Sequence, residues 1–293
     1  MTQRAAPVTV HRLARLALLF AGLALLAACA ALDERTRLAI YRPTQAIPAS
    51  FSGLQPGDQR WFVHWDAAGA PAQRVQLWWL PHADPAAPTL LYLHGTFRNL
   101  YHNHPKMQAL RRAGYSVLAV EYRGWGESSR AVPTEASIHA DADIGWAELV
   151  RRQPDPRRRV IFGHSMGGAV AVHLASRQAA RASYAGLILE STFTQLPDVA
   201  AQTTSRLIRP LAVLSGEHMN SMARMAQIRV PLLMLHGDAD RTVPISLGRE
   251  LFEAAVTAPK TFVPIAGGTH SQLHVEAAEQ YQRAMGDFAR RLR

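Results

Sequence analysis

The chain has a single cysteine, Cys29, so no disulfide can form within it and its fold must rest on packed side chains. Charged residues are few, 18% against 48% hydrophobic, which excludes a chain that stays unfolded by self-repulsion. No internal repeat and no tract of biased composition is present, so repeat arrays and fibrous folds are excluded. Lysine is rare, and the basic residues are nearly all arginines scattered along the chain. The formal net charge of +10 therefore lacks the clustering that a nucleic-acid surface needs, and no nucleic-acid partner is expected. The one dense run, Arg151 to Arg159, carries two prolines between a predicted helix and a predicted strand and reads as a solvated loop. His64, His94, His102 and His104 lack an acidic partner at ligand spacing, so neither a metal nor another cofactor is expected.

Long hydrophobic runs are also missing, with one exception. Leu16 to Leu32 forms an apolar stretch of about 17 residues, the lower limit for crossing a bilayer, behind Arg4, Arg12 and Arg15. This is the layout of a secretory signal, with an uncleaved membrane anchor as the alternative. Its end, Leu26-Ala27-Ala28-Cys29, resembles the bacterial lipobox. The resemblance implies that residues 1–28 are removed and that Cys29 becomes a lipidated N-terminus. Several acyl chains, at about 0.8 kcal/mol per buried CH₂, then hold the protein to a membrane without a transmembrane helix. Ala30 resembles the outer-membrane sorting pattern, which implies an envelope protein facing the periplasm. Residues 29–60 are polar and turn-rich, and read as a tether and lead-in.

From Trp61 to Arg293 the pattern is that of one large α/β domain. WFVHW and VQLWWL read as antiparallel edge strands. TLLYL, VLAV, VIF, LILE and PLLML are continuous apolar runs, as expected of strands buried on both faces of a mostly parallel sheet. Helix-length stretches lie between them, including His104 to Ala113, Ala140 to Arg152 and Gly168 to Ala179, which implies right-handed crossovers covering both faces. Residues 192–227 hold too much chain for an ordinary loop and predict a short helical lid. Met219, Met222 and Met225 fall there at helical spacing, read first as packing and second as an acyl-chain surface.

VIF runs directly into GHSMGG, and a helix-forming AVAVHLAS follows. A strand, a G-x-S-x-G turn and a helix expose a serine at the top of a sheet, which makes Ser165 the candidate nucleophile. Its neighbour His164 reads as a packing residue. A serine hydroxyl needs a base to take its proton and a third group to orient that base. Both follow in order: Asp238 and Asp240 stand in HGDADRTVP after a buried strand, and His270 stands in IAGGTH before the last helix.

Taken together, LLYLHGT, EYRGWGESS, GHSMGG, LILESTF, PLLMLHGDADRTVP and IAGGTH resemble the α/β-hydrolase superfamily, most closely its BEM46-type and serine-aminopeptidase-type branch. The resemblance covers about Val75 to the C-terminus. It implies the α/β-hydrolase fold and assigns the acid to Asp240, with Asp238 as runner-up and Glu190 as a remote alternative. It implies an oxyanion site made by the backbone N–H groups of Met166 and Thr96, with Phe97 as fallback. Glu121 stands where the family has Asp, a departure in a structural turn. The expected activity is cleavage of a carboxylic ester, with lipid esters and thioesters among the candidate substrates, through an acyl-enzyme on Ser165. The alternatives are an aminopeptidase-type enzyme and a non-catalytic envelope protein on the same scaffold. The expected partners are a small-molecule or lipid acyl substrate and the membrane; oligomeric state is left open.

Overall fold

The computed structural model describes residues 8–66, 71–96, 98–203 and 216–292. Eight strands form one sheet: β1 (Gln59–Trp65), β2 (Gln73–Leu80), β3 (Thr89–Leu93), β4 (Ser116–Glu121), β5 (Arg159–His164), β6 (Gly186–Glu190), β7 (Leu232–Gly237) and β8 (Lys260–Ile265). Their spatial order is β1-β2-β4-β3-β5-β6-β7-β8. Only β1 with β2 and β2 with β4 pair antiparallel; the other neighbours are parallel. This is the α/β-hydrolase fold expected from the sequence.

The central strands show why their sequences do not alternate. Along β3, Leu91 and Leu93 enter the core on one face while Leu90 and Tyr92 enter the core on the other. In β4, Leu118 and Val120 face the first core, and Val117 and Ala119 the second. A strand covered on both faces needs apolar residues at every position. The first face is covered by α3 (Glu135–Arg152) and α4 (Met166–Ala179), the second by α2 (Leu100–Arg112) and the last helix (Ala278–Arg291). β3 lies between β4 and β5, so strand order reverses there, and in open α/β sheets ligands bind beyond the strand C-termini at such a reversal.

Two helices begin earlier than their apolar periodicity predicts, because side chains cap them. Asn99 accepts the His102 N–H at the start of α2, and Thr134 and Ser137 form a reciprocal capping box that starts α3 five residues before Ala140. The arginine-rich run is only partly a solvated loop. Arg157 is exposed beside Asp155, whereas Arg159 is buried and donates to the carbonyls of Gln153, Pro154 and Ser183.

The N-terminal expectation needs the larger correction. A single helix, α1, runs from Val8 to Tyr41, and the part of it beyond Cys29 is not a free tether. Tyr41 is fully buried, edge-on to Trp125, and donates to Glu217; Phe51 packs against Trp78 and Tyr101. A polar composition reads as linker, yet one well-placed aromatic side chain is enough to dock such a segment. Among the described residues no helix is long and apolar enough to cross a membrane. Cys29 is exposed.

Of the predicted lid, α5 (Leu196–Thr203) and the one-turn α6 (Met222–Met225) are described, and residues 204–215 lie outside the described residues. Met219 and Met225 are buried in the first core, which is the packing role rather than an acyl surface.

Candidate active site

The turn after β5 is built by close approach. A Cβ at Gly163 would lie 2.1 Å from the Gly167 carbonyl oxygen, and one at Gly167 would lie 2.1 Å from the Leu93 carbonyl oxygen. Larger residues at either position would push the strand and helix apart, so the glycines allow α4 to start directly after β5. Ser165 between them has φ 56° and ψ −123°, a conformation non-glycine residues rarely hold. Three bonds hold it there: its N–H donates to the Glu190 carbonyl at 2.9 Å, and its own carbonyl accepts from Gly168 N–H and the Thr192 hydroxyl, both at 2.8 Å.

The loops after β7 and β8 bring the other two candidates to this turn. His270 Nε2 lies 2.9 Å from Ser165 Oγ, and His270 Nδ1 lies 2.7 Å from Asp240 Oδ2. A carboxylate only accepts, so Nδ1 carries the proton and Nε2 is left to accept from the serine hydroxyl. Asp240 is held in turn by its Oδ1, which accepts the N–H groups of Thr242 at 2.9 Å and Val243 at 2.8 Å. Burial alone would push its pKa up, but hydrogen bonds from His236 and His270, the imidazole beside it and the Val243 amide outweigh burial. They hold the carboxyl well below the usual carboxylate range, so it is ionised. All three side chains are buried, each 6–7% exposed.

The other sequence candidates separate cleanly. Asp238 points away and accepts the Gly267 N–H at 2.7 Å, bracing the loop that carries His270. Glu190 is buried against Lys106 and the Tyr281 hydroxyl, 4.0 Å from His164 Nε2, and it is Asp240 whose carboxylate bonds the His270 ring. Gly95 places the HGT loop beside the serine, since a Cβ there would lie 3.0 Å from Ser165 Cβ. Thr96 and Met166 both line the cleft above Ser165, and Met166 is the first residue of α4, where an N–H has no partner within the helix. Phe97 lies outside the described residues. Glu121 lies under the HGT loop, accepting the Leu100 N–H at 2.9 Å and standing 3.1 Å from His94 Nε2. Its departure from Asp therefore touches a support of the loop. Among the described residues no group of His, Cys, Asp or Glu side chains is arranged to hold a metal ion.

Two imidazoles support the site: His164, read from the sequence as a packing residue, and His236, which the sequence reading passed over. His164 Nε2 donates to the His270 carbonyl at 2.9 Å, and burial, reinforced by Lys106 and His270, keeps that ring neutral. His236 Nε2 donates to the Val243 carbonyl at 2.9 Å and lies 3.5 Å from Asp240 Oδ2. Each is a histidine beside a glycine in a motif, where the only available signal was its adjacency to the motif itself.

Above Ser165 opens a cleft of about 600 Å³. Much of its lining is apolar, with Phe193, Leu196 and Val199 among its residues, and α1 contributes a further side. Among the described residues, the charged side chains lining it are Arg35 and Arg42, and no acidic side chain does so.

The sequence model of the family described as serine aminopeptidase, S33, matches residues 84–217 and 214–277. The protein Rv2307c of Mycobacterium tuberculosis (strain ATCC 25618 / H37Rv), which carries no functional name, is 32% identical over 240 residues, 81% of each chain. The lysophosphatidylserine lipase ABHD12 of Danio rerio is 27% identical over 234 residues, 73% of this chain and 61% of its own. Among solved structures, the Pyrococcus furiosus esterase Pf2001 superposes with a TM-score of 0.66 at 19% identity, covering 85% of this chain and 97% of its own, a likeness of fold.

Proposed function

We propose, from the premise that this chain belongs to the serine aminopeptidase S33 family of α/β-hydrolases, that it is a serine hydrolase cleaving carboxylic esters of apolar acyl groups. The observation that carries this reading is the continuous relay from Asp240 through His270 to Ser165, at 2.7 and 2.9 Å, on a strained turn beneath an apolar cleft. As Ser165 Oγ attacks the acyl carbon, its proton passes to His270 Nε2, and Asp240 stabilises the imidazolium that forms. The carbonyl oxygen becomes an oxyanion, received by the N–H groups of Met166 and Thr96; losing one such donor costs about 2.7–4 kcal/mol. His270 then gives its proton to the leaving alcohol oxygen as the C–O bond breaks. Water, deprotonated by the same imidazole, releases the acid and restores the serine.

The aminopeptidase alternative is disfavoured by charge. An enzyme that reads a free amino terminus has to hold an ammonium group, and the charged side chains lining this cleft are, among the described residues, both arginines. A lipid ester fits better, and a relative that is a lysophosphatidylserine lipase supports that direction. The test is a panel of 4-nitrophenyl esters of graded acyl length beside aminoacyl 4-nitroanilides. The expected result is kcat/KM rising from acetyl towards medium and long acyl chains, with the anilides cleaved at least about tenfold more slowly, a difference of about 1.4 kcal/mol in barrier. Faster cleavage of the anilides would return the assignment to the peptidase.

The location proposed for this enzyme is the bacterial envelope, with the mature chain beginning at a lipidated Cys29. Support comes from the basic and apolar segment ending in Leu26-Ala27-Ala28-Cys29 and from the exposure of Cys29. Intact mass and membrane fractionation should show a diacylglyceryl or fully acylated Cys29, lost in Cys29→Ala. A Cys29→Ala protein still cleaved after Ala28 and still sedimenting with membranes would refute the anchor.

A further inference from the structure

The helix that carries Cys29 is also a wall of the cleft. Leu32, Arg35, Thr36, Ala39, Ile40 and Arg42 all line it, and all lie after the cysteine, so a chain beginning at Cys29 keeps every one of them. This stretch is pinned to the body of the enzyme. The buried Tyr41 hydroxyl donates to Glu217, Arg37 Nε lies 3.1 Å from the same carboxylate, and Glu217 also accepts the Glu135 N–H at 2.6 Å, tying α1 to the start of α3. Upstream, the character changes. Leu18, Leu19, Phe20, Leu23, Leu25 and Leu26 are 63–73% exposed, an apolar surface that water does not favour.

The distance between the two regions is short. Cys29 and Leu32 are three residues apart on one helix, a rise of about 4.5 Å. Whatever holds Cys29 at a membrane surface, whether acyl chains or an apolar segment left in place, therefore holds the rim of the cleft within one helical turn of that surface. Charge adds a second constraint. Arg35 and Arg42 form no ion pair with a described residue, both are exposed, and among the described residues no acidic side chain lines the cleft. Two guanidiniums without an ion-pair partner among the described residues, Arg42 holding only the Ala39 carbonyl through its Nε, suit an amphiphile whose polar end is negative.

We infer that residues 32–42 form a substrate-binding wall held at the membrane surface, across which an anionic single-chain lipid ester passes into the cleft from the anchoring leaflet. The acyl chain lies along the apolar lining that Ile40 shares with Phe193 and Leu196, and the negative group meets Arg35 and Arg42. The inference rests on the serine-hydrolase reading and deepens it by naming substrate class and route.

The experiment uses the full chain in phosphatidylcholine vesicles that contain either 1-oleoylglycerol 3-phosphate or 1-oleoylglycerol, with 4-nitrophenyl butyrate in solution as the soluble comparison. A flexible spacer of about twelve Gly and Ser residues between Ala31 and Leu32 lets the cleft leave the surface. Hydrolysis of both vesicle lipids should fall about tenfold, as effective concentration falls with linker length, while butyrate turnover is retained. Separately, Arg35→Glu with Arg42→Glu in the chain without the spacer should lower the ratio of phosphate-bearing to neutral lipid hydrolysis by about tenfold or more. That ratio is informative whether or not the spacer variant folds. A spacer variant that keeps parent rates on vesicle lipid overturns the proposed route, and an unchanged ratio overturns the headgroup site. A parent chain inactive on butyrate and on both lipids is a different result, which removes the serine-hydrolase reading itself.

Discussion

Ser165→Ala should lose ester turnover by about 10⁶-fold, the size of loss when the nucleophile of a comparable triad is removed. A fluorophosphonate probe should label the parent at Ser165 and fail to label the variant. Among the described residues this hydroxyl alone combines a strained turn that presents it, a base at 2.9 Å, and flanking main-chain N–H groups at the start of a helix. Other serines near the site are otherwise engaged or lack a base. Ser128 donates to the Glu121 carbonyl at 2.6 Å, and Ser191 sits at φ 49° after β6 with no imidazole bonded to it among the described residues. The fold should survive the change, because the bonds that hold position 165 are made by its main chain and by the Thr192 hydroxyl. Circular dichroism and the thermal midpoint check this. Labelling that persists in a folded variant would remove Ser165 from the mechanism. A parent that is neither labelled nor active on ester, thioester or amide substrates would favour a non-catalytic binding protein on this scaffold.

Asp240→Asn should cost about 10⁴-fold in kcat, and Asp238→Asn less than about tenfold. The contrast follows from what each carboxylate touches. Oδ1 of Asp240 accepts two backbone N–H groups, from Thr242 and Val243, so the oxygen of an amide placed there stays with them. Its NH₂ then faces His270 Nδ1, which has to become an acceptor. The ring takes the other tautomer, presents an N–H to Ser165, and can no longer receive the serine proton. At Asp238 an amide oxygen can still accept from Gly267, so the loop carrying His270 keeps its brace. Steady-state kinetics of the two variants on one ester decide the matter, and a larger loss at Asp238 would reverse the assignment.

Local signals were enough for the scaffold and for the order of the chemistry. Apolar runs such as TLLYL and LILE fill strands buried on both faces, and glycines around Ser165 report a turn whose backbone leaves no room for a Cβ. These are short-range constraints, each satisfied within a few residues, so they are written where they act. The choice between Asp238 and Asp240 is different. Both follow the same strand, and family resemblance preferred Asp240, but only the meeting of the β7 and β8 loops shows one carboxylate on the imidazole and the other on a glycine N–H.

Residues 29–60 were the least legible part. Polar composition and the lack of periodicity made them look like a tether, because nothing within the segment says what it touches. Tyr41 is buried through a partner 176 residues later, and the cleft is closed on one side by Leu32 to Arg42 only because that docking aligns the helix over Ser165. The same holds for His164 and His236, whose acceptors are the carbonyls of His270 and Val243. By itself the sequence determined the sheet, the strained turn and which residue types can pass a proton. The tertiary structure decided which carboxylate meets the imidazole and what walls the cleft, because those depend on contacts between segments far apart in the chain, which local pattern does not encode.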